Sequence, residues 1–517
     1  MNRSLVAPIF GVFTVLPFLF LAVYSTYTGE ILIDASVVKD IGYYSLNSAY
    51  LLFFGCLGAL LLGLSTAFLA ARYEFCGSSV FSVLFILPLA LPSYLSGYAY
   101  VWIFQKGGLL STVTGNDGLH LDILNLYGAS FVFATTLFTY VYLLARSAFS
   151  SIGSDVTDLI KIRGASFFYA FFRVYLPLSL PSAFVGLSLV AMEILSDYGT
   201  VTYFGVSPFS VGIFKTWFGY GDLAGAVLLS GAMMVFVFAV FAAEMRYKNK
   251  ISHTLSSATG KKSAKVRLTG LKGVFAFLFS CLVVAVSFFI PVCCIAYWLY
   301  MAPPIDLEVL SVGAKTVVLS VASCIVIVFL AYFVSYFRKL YPPKRGLFLY
   351  KLSFLGYATP GVIVAMAITV MFGFLDEMLS YRVFSGGFFA LIAAYAVRYF
   401  AASVGSVESG FERVDKNIDD TVKIFAQSFI FRFFSVYPPL TVRYIITAFL
   451  IVYIDIAKEL PATLVLRPFN FDTLSVKIYG FASSENVIST APYAVLLLAG
   501  TLSAALAIEF LKPKKGI

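Results

Sequence analysis

The sequence predicts an all-α integral membrane protein with about twelve membrane-spanning helices in two parallel six-helix repeats. Three observations indicate this fold: the composition, the sorting of basic residues into alternate loops, and a repeated loop segment. Of 517 residues, 60% are hydrophobic and 12% are charged, whereas soluble proteins carry about 25% charged residues. The mean hydropathy is +0.93. This composition excludes a soluble enzyme, a secreted disulfide scaffold and a disordered chain.

The spans follow from continuous apolar runs. A helix needs about 20 apolar residues to cross about 30 Å of hydrocarbon. Long unbroken runs indicate helices rather than a β-barrel, whose strands alternate in hydrophobicity. The predicted spans are residues 7–26, 50–71, 79–104, 129–146, 181–203, 223–244, 272–300, 313–337, 351–375, 386–404, 440–463 and 489–511. Pro88, Pro92 and Pro360 are expected to bend their spans.

Basic residues sort into alternate loops. Lysine and arginine are concentrated at both termini and in residues 72–78, 147–180, 245–271, 338–350 and 405–439. The other loops are poor in basic residues. The positive-inside rule therefore predicts that both termini are cytoplasmic. It also explains the net charge of +10 without nucleic acid.

The spans divide into two predicted domains, 1–245 and 272–517, joined by a basic linker at 246–271. A shift of 262 residues, which carries Lys161 to Lys423, aligns residues 149–178 with 411–440 without a gap. Both copies follow the fourth span of their half and therefore lie on one side of the membrane. This predicts a parallel repeat with a pseudo-two-fold axis along the membrane normal.

The repeated segments resemble the coupling loop of ATP-binding-cassette importer permeases. That family's pattern is Glu-Ala-Ala, three residues, Gly, nine residues, Ile, one residue, Leu-Pro. Both copies here replace the glutamate by aspartate and lack the two alanines, and the second copy also lacks the glycine. The residues at the acidic, glycine and proline positions are Asp158, Gly164 and Pro177 in the first copy and Asp420, Ala426 and Pro439 in the second.

The resemblance implies that two cytoplasmic ATPase subunits bind these loops and that a periplasmic substrate-binding protein delivers the cargo. A turn at Gly164, with the chain direction fixed by Pro177 and Pro439, would suit a compact coupling element. The chain has no Gly-x-x-x-x-Gly-Lys-Ser/Thr motif. We therefore expect a non-enzymatic transport subunit without a cofactor of its own, and ATP and Mg²⁺ on the partner ATPase. The location implied is the bacterial inner membrane.

Two acidic pairs lie in predicted spans. Glu193 and Asp197 are four residues apart, and the same shift carries them to Asp455 and Glu459. Residues at this spacing share one helix face, and carboxylates inside a membrane usually face the bundle interior or a water-filled cavity. All four are thus candidates for the substrate pathway and for binding a metal cation. Alternatively, Asp197 and Glu459 lie at an outer helix end, facing water or paired with Lys458.

Two further segments resemble ferric-iron importer permeases. They are Ser-Asp-Tyr-Gly-Thr at 196–200 and Lys-Glu-Leu-Pro-Ala-Thr-Leu at 458–464. The resemblance implies import of ferric iron by alternating access, with residues 204–222 and 470–475 on the docking face for the binding protein. Related importers of thiamine, polyamines or phosphonates remain alternatives. An ion-driven secondary transporter is an alternative of another class.

Overall fold

The computed structural model describes residues 6–27, 35–116, 120–252, 265–341, 347–415, 417–418, 421–422 and 428–511. Within these ranges the chain is almost entirely helical. The described part of the chain contains two short strands, β1 (Tyr73–Glu74) and β2 (Val266–Arg267), which pair in parallel. The all-α membrane fold predicted from the sequence is therefore confirmed.

The described residues of the first half form twelve helices. Its helices are α1 Val6–Tyr27, α2 Ala35–Arg72, α3 Ser78–Leu84, α4 Ser93–Phe104, α5 Leu109–Thr114, α6 Leu126–Ser151, α7 Ser154–Ile162, α8 Phe167–Ala170, α9 Leu176–Ser196, α10 Gly199–Tyr203, α11 Phe209–Phe214 and α12 Leu223–Ser252. A 3₁₀ turn at Leu87–Ala90 follows α3, and a π turn at Lys215–Gly219 follows α11. Helix α12 extends to Ser252, so the predicted linker 246–271 starts as helix.

The second half repeats this succession of long and short helices. Its helices are α13 Gly270–Val284, α14 Ile290–Met301, α15 Leu307–Leu340, α16 Leu347–Leu352, α17 Leu355–Ala358, α18 Gly361–Leu379, α19 Phe388–Glu412, α20 Phe429–Phe431, α21 Tyr437–Ala457, α22 Pro461–Leu466, α23 Leu474–Ser483 and α24 Ala491–Leu511. A 3₁₀ turn at Ile488–Thr490 precedes α24.

Ten helices of the described ranges are long and apolar enough to cross a membrane. A bent pair, Ser78–Ala90 with Ser93–Thr114, adds an eleventh span if it counts as one, and its two parts meet at 94°. The apolar stretch of α1, Pro8–Tyr24, is shorter than a full span. The predicted span 79–104 is therefore not a straight helix, because the chain turns sharply within it.

Equivalent prolines interrupt the third span of each half. Pro92 precedes α4 with φ −59° and ψ 141°, and Pro360 precedes α18 with φ −56° and ψ 141°. A proline nitrogen cannot donate a helical hydrogen bond, and its ring clashes with the preceding turn. The bends expected at these two prolines are thus present, and each one starts a new helix inside the bundle.

A π turn precedes the proline near the start of several long helices. A π turn shifts the hydrogen bonds from the i−4 to the i−5 carbonyl, which accommodates a residue that lacks an N–H group. The three turns and the prolines two residues beyond them are Phe171–Tyr175 with Pro177, Ala285–Phe289 with Pro291, and Arg432–Val436 with Pro438.

These π turns revise the predicted borders of two spans. Apolar helices run without a break over Phe167–Ser196 and Phe429–Ala457. Pro177 and Pro439 therefore lie inside long helices, and the prediction that they fix the chain direction of a loop is wrong. The predicted span 181–203 likewise begins earlier and ends at Ser196.

An aromatic cluster joins α2 to the first repeated segment. The ring of Phe68 lies 5.2 Å from that of Phe149, 4.9 Å from Phe171 and 5.4 Å from Tyr175, measured between ring centroids. These three partners are residues that the 262-residue shift matches to the second half. Phe68 on α2 therefore packs against both the end of α6 and the start of the helix 167–196.

The second half contains the corresponding cluster. The ring of Tyr336, on α15, lies 6.5 Å from Phe411, 5.1 Å from Phe433 and 5.4 Å from Tyr437. These partners are the residues matched to Phe149, Phe171 and Tyr175. The sequence repeat thus corresponds to a repeat in packing.

Segments predicted to be cytoplasmic in the first half lie together. Arg72 donates hydrogen bonds to the Ile152 carbonyl at 3.3 Å, to Thr157 Oγ1 at 2.5 Å and to the Tyr175 hydroxyl at 3.0 Å. Lys265 Nζ donates to the Ala70 carbonyl at 2.8 Å. The loop after α2, the first repeated segment and the end of the linker therefore occupy one end of the bundle.

Candidate functional site

A cavity of about 70 Å³ lies where the two halves meet, and all four predicted pathway carboxylates line it. The first half contributes residues of the α3–α4 break, α6 and the end of α9. The second half contributes residues of α19, the end of α21 and the start of α22. The sequence predicts that the two acidic pairs lie along one substrate pathway. In the fold, one cavity is lined by Glu193, Asp197, Asp455 and Glu459.

Asp197 caps a short helix. Its Oδ1 accepts hydrogen bonds from the backbone nitrogens of Thr200 at 2.9 Å and Val201 at 3.1 Å, and its Oδ2 accepts one from Thr200 Oγ1 at 2.8 Å. An acidic side chain at this position satisfies N–H groups that have no helical partner. Asp197 therefore has a structural role in starting α10.

Glu459 occupies the equivalent position of the second half. It accepts hydrogen bonds from the backbone nitrogens of Ala462 and Thr463, each at 2.9 Å, and from Thr463 Oγ1 at 2.5 Å. Ala462 and Thr463 are the residues that the 262-residue shift matches to Thr200 and Val201. Glu459 is only 4% exposed, so the alternative, in which it faces water at an outer helix end, is wrong.

Glu459 also forms a buried ion pair that the sequence did not suggest. Arg398 Nη1, on α19, donates to Glu459 Oε1 at 3.0 Å. A β-carbon on Gly361, the first residue of α18, would collide with this Nη1 and would lie 2.9 Å from the same Oε1. The glycine that follows the Pro360 break therefore leaves room for the ion pair.

Glu193 and Asp455 form the second equivalent pair, one helical turn before the caps. Asp455 is 8% exposed, and its Oδ1 lies 3.2 Å from Lys458 Nζ. Glu193 accepts a hydrogen bond from the Tyr140 hydroxyl at 3.4 Å. The alternative given above paired Lys458 with Glu459, whereas in the structure Lys458 pairs with Asp455. Neither Glu193 nor Asp455 has a capping hydrogen bond in the described structure.

The charges around the cavity favour a cation. Four carboxylates line it, and only Arg398 and Lys458 contribute positive charge among the residues lining it. Tyr94 also lines it, is 4% exposed, and its hydroxyl has no hydrogen-bond partner of acceptable geometry among the described residues. The nearby Ser475 hydroxyl donates instead to the Ala457 carbonyl, at 2.9 Å. An unsatisfied hydroxyl thus faces an acidic cavity.

The described residues contain no group of three or more His, Cys, Asp or Glu side chains arranged to hold a metal ion. The four carboxylates therefore do not form a ready-made metal centre in this conformation. Two of them are committed to helix caps, so a passing cation would meet few free ligands.

The first predicted coupling segment contains a short exposed helix. Asp158 lies on α7, and its side chain is exposed. Gly164 follows α7 with φ +60°, and an added β-carbon there would meet open space. The turn predicted at this glycine is present. In the second copy, Asp420 and Ala426 lie outside the described residues, while Pro439 lies on α21.

The predicted docking segment 470–475 connects α22 to α23. Asn470 adopts φ +60°, and Thr473 caps α23. Asp472 forms ion pairs with Arg467 and with Lys477, the latter at 3.4 Å. Charged side chains thus fix this loop. A larger cavity of about 550 Å³ opens beside α23 and α10, lined by residues of both halves.

Comparison with known protein families identifies a match to part of the chain. Residues 59–246 match the binding-protein-dependent transport system inner membrane component family. This range includes the first coupling segment and the first acidic pair. The matched domain covers the half in which α7 and the Gly164 turn are described, and the aromatic clusters relate the second half to it.

Several permeases are similar to this chain. Fe(3+)-transport system permease protein FbpB 2 of Haemophilus influenzae is 23% identical over 495 residues, which is 93% of each chain. Molybdenum transport system permease protein ModB of the same organism is 30% identical over 149 residues, 28% of this chain and 65% of that one. Sulfate transport system permease protein CysT of Salmonella typhimurium is 24% identical over 141 residues, 27% of this chain and 50% of that one.

The long apolar helices and the family match agree with each other. The chain is therefore a multi-pass inner-membrane permease, and its residues 59–246 match the binding-protein-dependent transport system inner membrane component family.

Proposed function

We propose that this chain is the translocating subunit of an ATP-driven importer of ferric iron that works by alternating access. The observation that carries the proposal is the similarity to a ferric-iron permease over 93% of both chains. The other similar permeases described above match about a third of this chain or less. Full-length similarity covers both acidic pairs and both coupling segments.

The cavity supports a small cationic cargo. Its four carboxylates exceed its two cationic side chains, and carboxylate oxygens are preferred ligands of hard cations. An oxyanion such as molybdate or sulfate would be repelled by this excess. A volume of about 70 Å³ is also small beside the roughly 300–1,000 Å³ of typical organic-ligand pockets, which disfavours thiamine or a phosphonate.

The energy for transport would come from partner subunits. Two copies of a cytoplasmic ATPase, which hold ATP and Mg²⁺, would bind the two repeated segments, 149–178 and 411–440. Closure of the ATPases would then move the two coupling segments together. Support comes from the family match and from the exposed helix α7. Phe68 also packs against Phe171, in the long helix 167–196 that follows α7.

The proposed orientation has both termini and the coupling segments in the cytoplasm. A periplasmic binding protein would then deliver iron at the opposite face, where residues 204–222 and 470–475 are expected. High affinity would belong to that protein, because a trivalent ion bound tightly in mid-membrane could not leave.

Transport assays test the proposal. Uptake of labelled ferric iron, molybdate, sulfate and thiamine would be compared in a strain lacking this gene and in the complemented strain. We expect only iron uptake to be lost and restored. If the deletion strain retains iron uptake but loses uptake of one of the other substrates, the iron assignment is contradicted. The assignment to the permease class would still stand.

Reconstitution tests the energy source. Proteoliposomes that contain the chain with its ATPase should take up iron only with ATP and binding protein. Uptake driven by an ion gradient in vesicles that contain this chain alone would instead establish a secondary transporter.

A further inference from the structure

We propose that the Lys458 ammonium is a tethered counter-ion that occupies the cargo position between Asp455 and Glu193 when the cavity is empty, and withdraws when a cation enters. The proposal rests on the function proposed above and assigns the four carboxylates to two tasks. Asp197 and Glu459 hold the backbone, whereas Glu193 and Asp455 would contact the cargo.

The hydrogen bonds separate the two tasks. Each capping carboxylate accepts three hydrogen bonds from the short helix that it starts, in Asp197 from Thr200 and Val201. Glu459 also holds Arg398. By contrast, Glu193 accepts one long hydrogen bond from Tyr140, and Asp455 is held by Lys458 alone in the described structure. Glu193 and Asp455 can therefore exchange partners without unfolding a helix.

Lys458 breaks the symmetry of the repeat at this point. The 262-residue shift matches it to Ser196, a small buried side chain, so only the second half supplies an ammonium. Its Nζ lies 3.2 Å from Asp455 Oδ1 and also interacts electrostatically with Glu193. One ammonium thus faces both carboxylates that have no capping role.

The surroundings suit a site that is filled for only part of the time. Two carboxylates that line one cavity inside the membrane would be costly without a cation, so the empty site needs a counter-charge. The Tyr94 hydroxyl has no hydrogen-bond partner among the described residues and lies close enough to interact with Asp197 and Glu459. It would gain an interaction when a hydrated ion enters the cavity.

A tethered cation also explains how the ion leaves. Incoming cargo has the higher charge and displaces the ammonium, while the returning ammonium competes for the same oxygens and weakens the site. Conduction requires binding that is strong enough for entry and weak enough for release. Lys458 would make the binding weak enough for release.

Terbium(III) binding tests the proposal without transport. Terbium(III) is a trivalent oxygen-binding ion whose luminescence neighbouring tyrosines sensitise, and Tyr94, Tyr140 and Tyr399 line the cavity. The full chain would be titrated in lipid nanodiscs as wild type and as Lys458→Met. We expect the variant to bind terbium at least about tenfold more tightly, because a competing positive charge has been removed. Lys272→Met, an exposed lysine on α13, is the control and should match the wild type.

Second-site variants identify the ligands. Adding Glu193→Gln or Asp455→Asn to Lys458→Met should abolish the gain. An unchanged terbium affinity in Lys458→Met, or a gain that survives both additions, would overturn the proposal. If Lys458→Met does not insert, Lys458→Gln, with a shorter polar side chain, gives the same readout.

Transport separates the proposal from a purely structural ion pair. The neutral double variant Lys458→Met with Asp455→Asn removes both charges together. A structural pair predicts near-normal iron uptake in the double variant, whereas a cargo ligand predicts a loss of at least about tenfold. If the wild type does not transport iron, the proposed cargo is refuted. The terbium titration would still test whether Lys458 competes with a cation for Glu193 and Asp455.

Discussion

Gly361 and Arg398 occupy the same corner of the central cavity, and the missing side chain of the glycine is what allows the arginine to reach Glu459. A β-carbon at position 361 would collide with Arg398 Nη1. The Pro360 break, the glycine and the buried ion pair therefore form one structural unit. It fixes the start of α18 against the end of α21.

Gly361→Ala should disturb this unit. We expect displacement of Arg398 from Glu459 and a loss of about 1–3 kcal/mol in stability, which is typical when atoms are added to a filled site. The measurement is the thermal unfolding midpoint of the purified chain, together with iron uptake. Gly373→Ala on the same helix meets no atom within 4 Å and is the control. Equal midpoints for the two variants would contradict the steric role of Gly361.

Glu459→Gln and Glu193→Gln should separate stability from transport. Glu459→Gln leaves the buried Arg398 without its carboxylate, and removal of one partner of a buried ion pair costs about 3–5 kcal/mol. Glu193→Gln loses only one hydrogen bond of 3.4 Å. We therefore expect a strongly lowered unfolding midpoint for the first variant. The second should keep a near-normal midpoint but lose iron uptake. The opposite ranking of midpoints would refute the division between capping and cargo carboxylates.

Phe68→Leu should weaken the link between α2 and the first coupling segment. Phe68 contacts four aromatic rings of that segment, those of Phe149, Phe167, Phe171 and Tyr175, and such pairs contribute about 0.5–1.5 kcal/mol each beyond burial. We expect lower stability and less uptake per ATP hydrolysed. Tyr336→Leu should have the same effect in the second half.

The control for both aromatic variants is Phe53→Leu, on the same helix as Phe68, where the ring is 62% exposed. It should change stability by no more than about 0.5 kcal/mol. If Phe68→Leu and Phe53→Leu have the same ratio of uptake to ATP hydrolysis, the aromatic cluster does not transmit motion.

Substitutions of Gly164 distinguish backbone shape from surface contact. Its φ of +60° is strained for most side chains, but an added β-carbon meets no neighbour. Asparagine tolerates this conformation and valine does not. With the chain in complex with its ATPase, Gly164→Asn should keep most of its iron uptake, and Gly164→Val should hydrolyse ATP without uptake. Loss of uptake in both variants would instead indicate that the glycine surface itself touches the ATPase.

A valine at Gly107 serves as the control for this experiment. Gly107 also has a positive φ, +73°, and open space around it, but it lies in the predicted periplasmic loop between the spans 79–104 and 129–146. Gly107→Val should therefore leave the ratio of uptake to ATP hydrolysis unchanged. A lowered ratio would show that strain anywhere in the chain mimics uncoupling.

Much of the site could be predicted because duplication leaves a record in the sequence. The spacing between Glu193 and Asp197 recurs at Asp455 and Glu459, and the four carboxylates do line one cavity. The division of labour among them could not be predicted. It depends on the breaks after α9 and after α21, where the short helices α10 and α22 present unpaired N–H groups to Asp197 and Glu459.

By itself the sequence determined the membrane class, the twelve apolar runs, the duplicated segment and the positions of the acidic pairs. These properties depend on hydropathy, charge and spacing along the chain, which need no knowledge of the packing. Only the tertiary structure decided the 94° angle of the bend at Pro92, the continuous helix through Pro177, and the partner of each charge. Arg398 lies 61 residues from Glu459, and no local pattern joins them. Their pairing arises because two helices approach in a medium of low dielectric constant, where a buried carboxylate takes whichever cation the packing brings within reach.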